Sequence, residues 1–179
     1  MTEKNTDKLV HGYNRMMERA RETIEEAESK ALPVLRESID KARQTAVELD
    51  ELSHDEAQKI AAWLKRDLQD AGKHLAETSE ELGEWLRFDL GQIEDSLLEV
   101  FSRVADRTRI EWTQLQEDLQ RDPPHHTGEI TGPGTLYCSA CNEALHFHRT
   151  SRIPPCPKCR GIAFRRWPVD ASTQPVDEG

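Results

Sequence analysis

The run CSACNEALHFHRTSRIPPCPKC holds every cysteine of a 179-residue chain, as two Cys-x-x-Cys pairs with fourteen residues between them. Two sulfurs from one tight turn reach a single ion, and two such turns joined by short strands complete a tetrahedral four-thiolate site. Cys138, Cys141, Cys156 and Cys159 are therefore the expected metal ligands. Four thiolates close the coordination sphere and leave no position for a reactive water, so the metal is structural. Zinc, one per chain, is the expected occupant; a rubredoxin-like iron site uses the same geometry, and spacing alone does not separate the two. A redox pair would stand at a helix start in a βαβ setting, which the flanking sequence lacks.

The flanks of the pairs read as short strands. GTLYC leads into the first turn, ALHFHR alternates Leu145 and Phe147 with His146 and His148, and GIAFRRW offers a closing strand. Roughly 35 residues bury too little apolar surface to fold alone. A structural zinc supplies on the order of 10–16 kcal/mol in finger peptides, so the metal is part of the fold. With four sulfurs sufficient, His125, His126, His146 and His148 are expected at the surface.

The elements that must hold this ribbon lie upstream. Residues 1–122 carry 18 Lys/Arg and 29 Asp/Glu, a net of −11, whereas 123–179 carry 6 and 5. The break falls at Pro123 and Pro124, which end any helix arriving from the N-terminal side. This divides the chain into an acidic long-helix region (1–122), a linker (123–133), a zinc ribbon (134–168) and a disordered acidic tail (169–179).

Within residues 54–121 apolar side chains recur every eleven positions. Ile60, Ala71, Leu82, Ile93, Val104 and Leu115 form one row; Leu64, Leu75, Leu86, Leu97 and Leu119 form another, interrupted at Thr108, and Ala57, Leu68, Leu90, Phe101 and Trp112 a third, interrupted at Ser79. Rows three to four residues apart share one helix face, and about 3.67 residues per turn favours a right-handed supercoil. The preceding segment keeps the rhythm through Leu9, Ala20, Ala31 and Ala42. Ser53 followed by Glu56 is a capping box that starts a new helix, which predicts a hairpin turning near residues 50–54. Pro33 predicts a kink or break near residues 30–33.

The expected fold class is thus mainly α with a small β ribbon, the helices forming either a long hairpin or a three-helix rod broken near residues 78–79. An unbroken second helix would run roughly 100 Å and outreach the first. Its far stripe of Phe101, Val104, Trp112 and Leu115 would then need cover from another chain, and these four are the candidate oligomer interface.

The chain resembles the YbeL-like zinc-ribbon proteins of bacteria. The resemblance rests on ELSHDEAQKIAAWLKRDL at 51–68, IEWTQLQEDL at 110–119, HTGEITGPGTLYCSAC at 126–141, CPKC, and FRRW shortly after. It implies a long helical region joined to a ribbon, zinc on the four cysteines, and a cytoplasmic bacterial protein; it brings no catalytic residues. Asn142 and Arg160 stand where glycine often follows the second cysteine of such a turn; asparagine tolerates the left-handed conformation better than arginine.

No Gly-rich phosphate loop or nucleophile motif occurs, and the carboxylates fall where a solvated helix face puts them, so no enzymatic activity and no small-molecule substrate are expected. The acidic helices would be repelled by anionic lipid, which argues against a membrane partner despite Trp63, Trp85 and Trp112 near the stripe. The polar start and the lack of a long apolar run suggest the cytoplasm. An interaction or adaptor module is the first reading, its partner another protein or a second copy. A nucleic-acid-binding ribbon is the alternative, with Arg149, Arg152, Lys158, Arg160, Arg165 and Arg166 as candidate contacts. A zinc with four thiolates carries −2, so part of that positive charge compensates the metal.

Overall fold

In the computed structural model, which describes residues 3–26, 35–78, 86, 93–114 and 124–168, the acidic half forms α1 (Glu3–Glu26), α2 (Leu35–Glu48), α3 (His54–Thr78) and α4 (Asp95–Gln114). The apolar rows explain the packing. Leu9, Ala42, Ile60, Ala71, Ile93 and Val104 are all buried in one core, joined by Leu64, Leu68, Leu86 and Phe101. The capping box forms as expected: the Ser53 amide donates to Glu56 Oε2 at 2.9 Å, and the Glu56 amide to Ser53 Oγ at 3.3 Å. Just before it, α2 ends with Asp50 in the left-handed region (φ 54°) and the Glu51 amide donating back to the Ala46 carbonyl at 3.1 Å.

The long second helix is not what the rows build. Residues 93 and 94 are not helical, α4 packs against α3, and α1 lies against α2, α3 and α4. The result is a helical bundle whose longest described helix has 25 residues, about 38 Å. Phe101 and Val104, expected to need a second chain, are 1% and 0% exposed because the bundle covers them. The side chains of Trp112 and Leu115, the kink near Pro33, the break near residues 78–79 and the tail at 169–179 lie outside the described residues.

The ribbon comprises β1 (His125–His126), β2 (Ile130–Thr131), β3 (Gly134–Cys138), β4 (Ala144–Phe147), β5 (Ser151–Arg152) and β6 (Ala163–Arg165). One antiparallel sheet has the order β1-β6-β3-β4; β2 and β5 pair separately. The expected linker at 123–133 is therefore mostly ribbon. His125 pairs with Phe164 and Ile130 with Arg152, because the early residues supply edge strands that the 35-residue unit would otherwise lack.

Nor does the ribbon stand apart. Ile130 joins the helical core and Trp167 packs against it. Gly132 lies so close to α1 and α4 that a Cβ there would sit 3.1 Å from Tyr13 Oη and 3.3 Å from a Phe101 ring carbon. Thr135 Oγ1 donates to the Leu86 carbonyl at 2.6 Å, and Thr150 to Asn14 Oδ1 at 2.6 Å. No helix among the described residues is long and apolar enough to cross a membrane.

Candidate metal centre and its anchorage

The two Cys-x-x-Cys turns have the same backbone construction. In the first, the Asn142 amide donates to the Cys138 carbonyl and the Cys138 amide to the Glu143 carbonyl, each at 2.9 Å. In the second, Arg160 donates to Cys156 and Cys156 to Gly161 with the same spacing and the same 2.9 Å lengths. Asn142 (φ 60°) and Arg160 (φ 59°) both take the left-handed conformation that glycine would adopt without strain. Gly161 is needed for a different reason: a Cβ there would lie 3.0 Å from Cys138 Sγ and 3.2 Å from Cys159 Sγ.

Cys138 Sγ and Cys159 Sγ are 3.5 Å apart, Cys141 Sγ and Cys156 Sγ 3.6 Å, and all four sulfurs lie within 4.8 Å of one another. Four sulfurs about 2.3 Å from one ion would form a tetrahedron with edges of about 3.8 Å, so the set fits one zinc. The Gly161 amide points at Cys159 Sγ at 3.4 Å, the kind of donor that steadies a thiolate. Without a cation the four thiols cannot ionise together. Burial raises Cys138, but the Ala140 and Cys141 amides more than offset it and bring that thiol to about 7. The Glu143 amide favours the Cys141 thiolate, yet burial and the three neighbouring thiols push it up to about 12. A bound divalent cation removes this conflict by deprotonating the ligands.

Sequence reasoning missed a second buried cluster, which ties the metal-bearing sheet to the helices. Asp67, on α3, is fully buried. Its Oδ2 accepts from Tyr13 Oη at 2.7 Å, from the Gly132 amide at 2.9 Å and from Thr131 Oγ1 at 3.1 Å. Arg166, directly after β6, lies with Nη2 3.1 Å from Asp67 Oδ1 and donates through Nε to Asp70 Oδ2 at 3.4 Å. His125 places Nε2 3.2 Å from the same Asp70 oxygen, and Arg66 donates to Glu129 at 2.7 Å. His74 stacks near Trp167, ring centroids 5.1 Å apart.

The charges fix each other's protonation. Burial opposes the Asp67 carboxylate, but the Arg166 and Arg66 guanidiniums hold its pKa below the ordinary value. Burial and the Arg166 guanidinium push His125 well below the usual histidine range, so it is neutral near pH 7. Burial and the Asp67 carboxylate raise the Tyr13 phenol far above 10. Asp67, Asp70 and His125 offer ligand atoms within 4.8 Å of one another. With Arg166 between the two carboxylates, this cluster is an internal ion-pair network.

Two expectations are corrected here. His125 is not a surface histidine, because β1 carries it under the bundle; His126 and His146 are exposed and His148 half-buried. Arg166 is not free for a nucleic-acid backbone, because its guanidinium is committed to Asp67 and Asp70. Of the other candidate contacts, Arg165 is half-buried and donates to the Trp167 carbonyl and Asn142, and Lys158 pairs with Glu143 at 3.5 Å; Arg149, Arg152 and Arg160 are exposed. The signal for Asp67 was present in the sequence: it stands between Leu64 and Leu68, on the buried face of the stripe, where a solvated carboxylate does not belong.

A four-thiolate ribbon stapled to a helical bundle defines the class, a structural zinc-ribbon protein. The chain belongs to the zinc-ribbon containing domain family, which it matches over residues 22–168, a span that includes most of the helices as well as the ribbon. It is 33% identical over 67 residues to the uncharacterized protein YbeL from three strains of Escherichia coli. That stretch is 37% of this chain and 42% of each relative, so less than half of either is spanned. No solved structure matches.

Proposed function

We propose that the protein is a non-catalytic interaction module, in which zinc rigidifies a ribbon and the helical bundle holds it in place for a protein partner. The observation that carries this reading is Ile162, a large apolar side chain 63% exposed three residues beyond the ligand Cys159. Burying that side chain against a partner would remove apolar surface from water, and a metal-stiffened turn presents it without an ordering cost. The closed coordination sphere supports a non-catalytic metal, since four thiolates leave no site for substrate or water.

The basic residues weigh against nucleic acid. A phosphate-binding surface needs guanidinium and ammonium groups free to release counterions. Of the six candidate contacts Arg166 is internal, Lys158 is paired and Arg165 is bonded to its own strand end, which leaves Arg149, Arg152 and Arg160 exposed on a ribbon whose zinc centre is itself negative.

Photo-crosslinking from a residue beside Ile162 in living cells, with and without Ile162→Asp, tests the reading. Discrete protein adducts that disappear in the variant are expected, together with sedimentation at physiological salt that mixed RNA or DNA leaves unchanged. Adducts indifferent to Ile162→Asp, or co-sedimentation with nucleic acid, would overturn it.

A further inference from the structure

The described residues leave two large hydrophobic side chains exposed, Ile162 at 63% and Leu49 at 59%, and their surroundings are opposite in charge. Around Ile162 the ribbon presents a firm apolar face. The Thr127 amide donates to the Ile162 carbonyl at 2.9 Å and Thr127 Oγ1 to the Pro154 carbonyl at 3.3 Å, which holds Ile162 and the exposed prolines 154 and 155 together. Arg152 donates through Nε to the Gly128 carbonyl at 3.4 Å, next to Thr127, and exposed Arg160 stands two residues before Ile162. Neither has a carboxylate partner among the described residues, although both are exposed.

Leu49 crowns the α2–α3 turn between the exposed carboxylates Glu48 and Asp50, which pair with no cation among the described residues. The turn is itself rigid: Asp50 caps α2, and neighbouring Glu51 is clamped by Arg19 at 2.7 and 2.8 Å. Leu49 cannot reach Ile162 of its own chain. Arg66, which touches the ribbon through Pro124 and Glu129, is twelve residues along α3 from His54, roughly 18 Å of helix.

We infer that the Ile162 face receives the α2–α3 turn of a second copy of this chain, Leu49 seating on Ile162 and the prolines while Glu48 and Asp50 meet Arg152 and Arg160. Both surfaces are preformed, so little ordering opposes the contact. Two such contacts related by a two-fold axis close a dimer. The inference rests on the interaction reading above and names its partner. It also differs from an interface through Phe101 and Val104, which the bundle has already buried.

Sedimentation of the full zinc-loaded chain from micromolar to submillimolar concentration tests it. Self-association that weakens with added salt is expected. Leu49→Asp and Ile162→Asp should each weaken it by about tenfold or more, since each puts an unpaired carboxylate into an apolar contact. An equimolar mixture of the two variants should associate more tightly than either alone though less than wild type, because one of its two contacts then joins an intact face to an intact turn while the other carries both substitutions. Glu48→Arg and Arg160→Glu should each weaken association singly and restore it when combined in one chain. All four positions are exposed, and retained zinc stoichiometry and helical dichroism verify the fold. A wild type that stays monomeric, variants that associate as before, or a mixture without rescue would overturn the inference. If association is absent but crosslinks to other proteins still vanish with Ile162→Asp, only the choice of partner fails; if those crosslinks are also unaffected, the interaction reading fails with it.

Discussion

Asp67 is the residue on which the two halves of the molecule meet. It is fully buried, accepts from α1, from the segment after β2 and from Thr131, and is charge-matched by Arg166. Removing one partner of such a pair leaves the other buried and uncompensated, which costs about 3–5 kcal/mol. Asp67→Ala should therefore lose that much stability in urea unfolding. Asp67→Leu combined with Arg166→Leu should lose clearly less than the sum of the single losses; strict additivity would show that the two do not act as a pair. His125 adds a pH signature. It faces Asp67 and Asp70 from α3 and Arg166 from the end of β6, with Arg66 and His126 nearby. Its folded pKa lies well below the unfolded value of 6.5, so between the two the unfolded chain binds more protons. Stability is then full above about pH 6.5 and declines as the pH falls toward the folded value. His125→Gln, measured against wild type by urea unfolding from about pH 5 to about 7.5, a range that spans the usual imidazole pKa of about 6.5, should flatten that decline; parallel curves would rule the histidine out as its source.

At the scale of elements, the metal turns show where local sequence and required geometry disagree. Both turns demand a left-handed residue after the second cysteine, and the second supplies arginine. For a residue with a Cβ that conformation costs roughly 1–2 kcal/mol, a strain the neighbouring ligands must hold. Arg160→Gly should relieve it and raise the thermal midpoint of the zinc-loaded chain by an amount equivalent to about 1 kcal/mol, partly offset by the extra freedom of glycine in the unfolded state. An unchanged or lower midpoint would mean that the turn is not strained. The helices present the opposite case. Ser53 and Glu56 form their reciprocal cap, and the apolar rows are buried, because both depend on neighbours within one or two turns of the same helix. The rows did not reveal which face would cover which. The same stripe serves a long rod or a folded bundle, and the choice lies in how α3 and α4 meet.

For the whole molecule, the charge break and paired prolines mark two regions, and the structure packs them against each other. β1 and the residue following β6 carry His125 and Arg166 into the helices, while the same β6 is hydrogen-bonded through Ala163 to Ser139 inside the first metal turn. Losing zinc therefore loosens the strand that supplies Arg166 and leaves Asp67 and Asp70 without their cation. Chelation should remove amide protection in α3 around residues 66–74 along with that of the ribbon, and lower the melting temperature of the helical dichroism. Helices that keep both their protection and their melting temperature after zinc removal would show that the network is decorative.

What the sequence determined alone is whatever depends on short separations. Four cysteines in two turns specify a four-thiolate metal site, because the ligands are brought together by local geometry and two short strands. The capping box and the buried rows follow from helical spacing, and the strained positions from their place after the second cysteine of each pair. Only the tertiary structure decided the rest. Arg166 and Asp70 are 96 residues apart, and nothing in either segment names the other as partner. An arginine beside a metal turn reads as surface charge until the sheet is seen to carry it under α3. A stripe of large apolar side chains likewise reads as an interface until the chain is seen to fold back over it. Burial is a property of the whole arrangement, and it decides whether a charge or an apolar face is presented to a partner or used up within the fold.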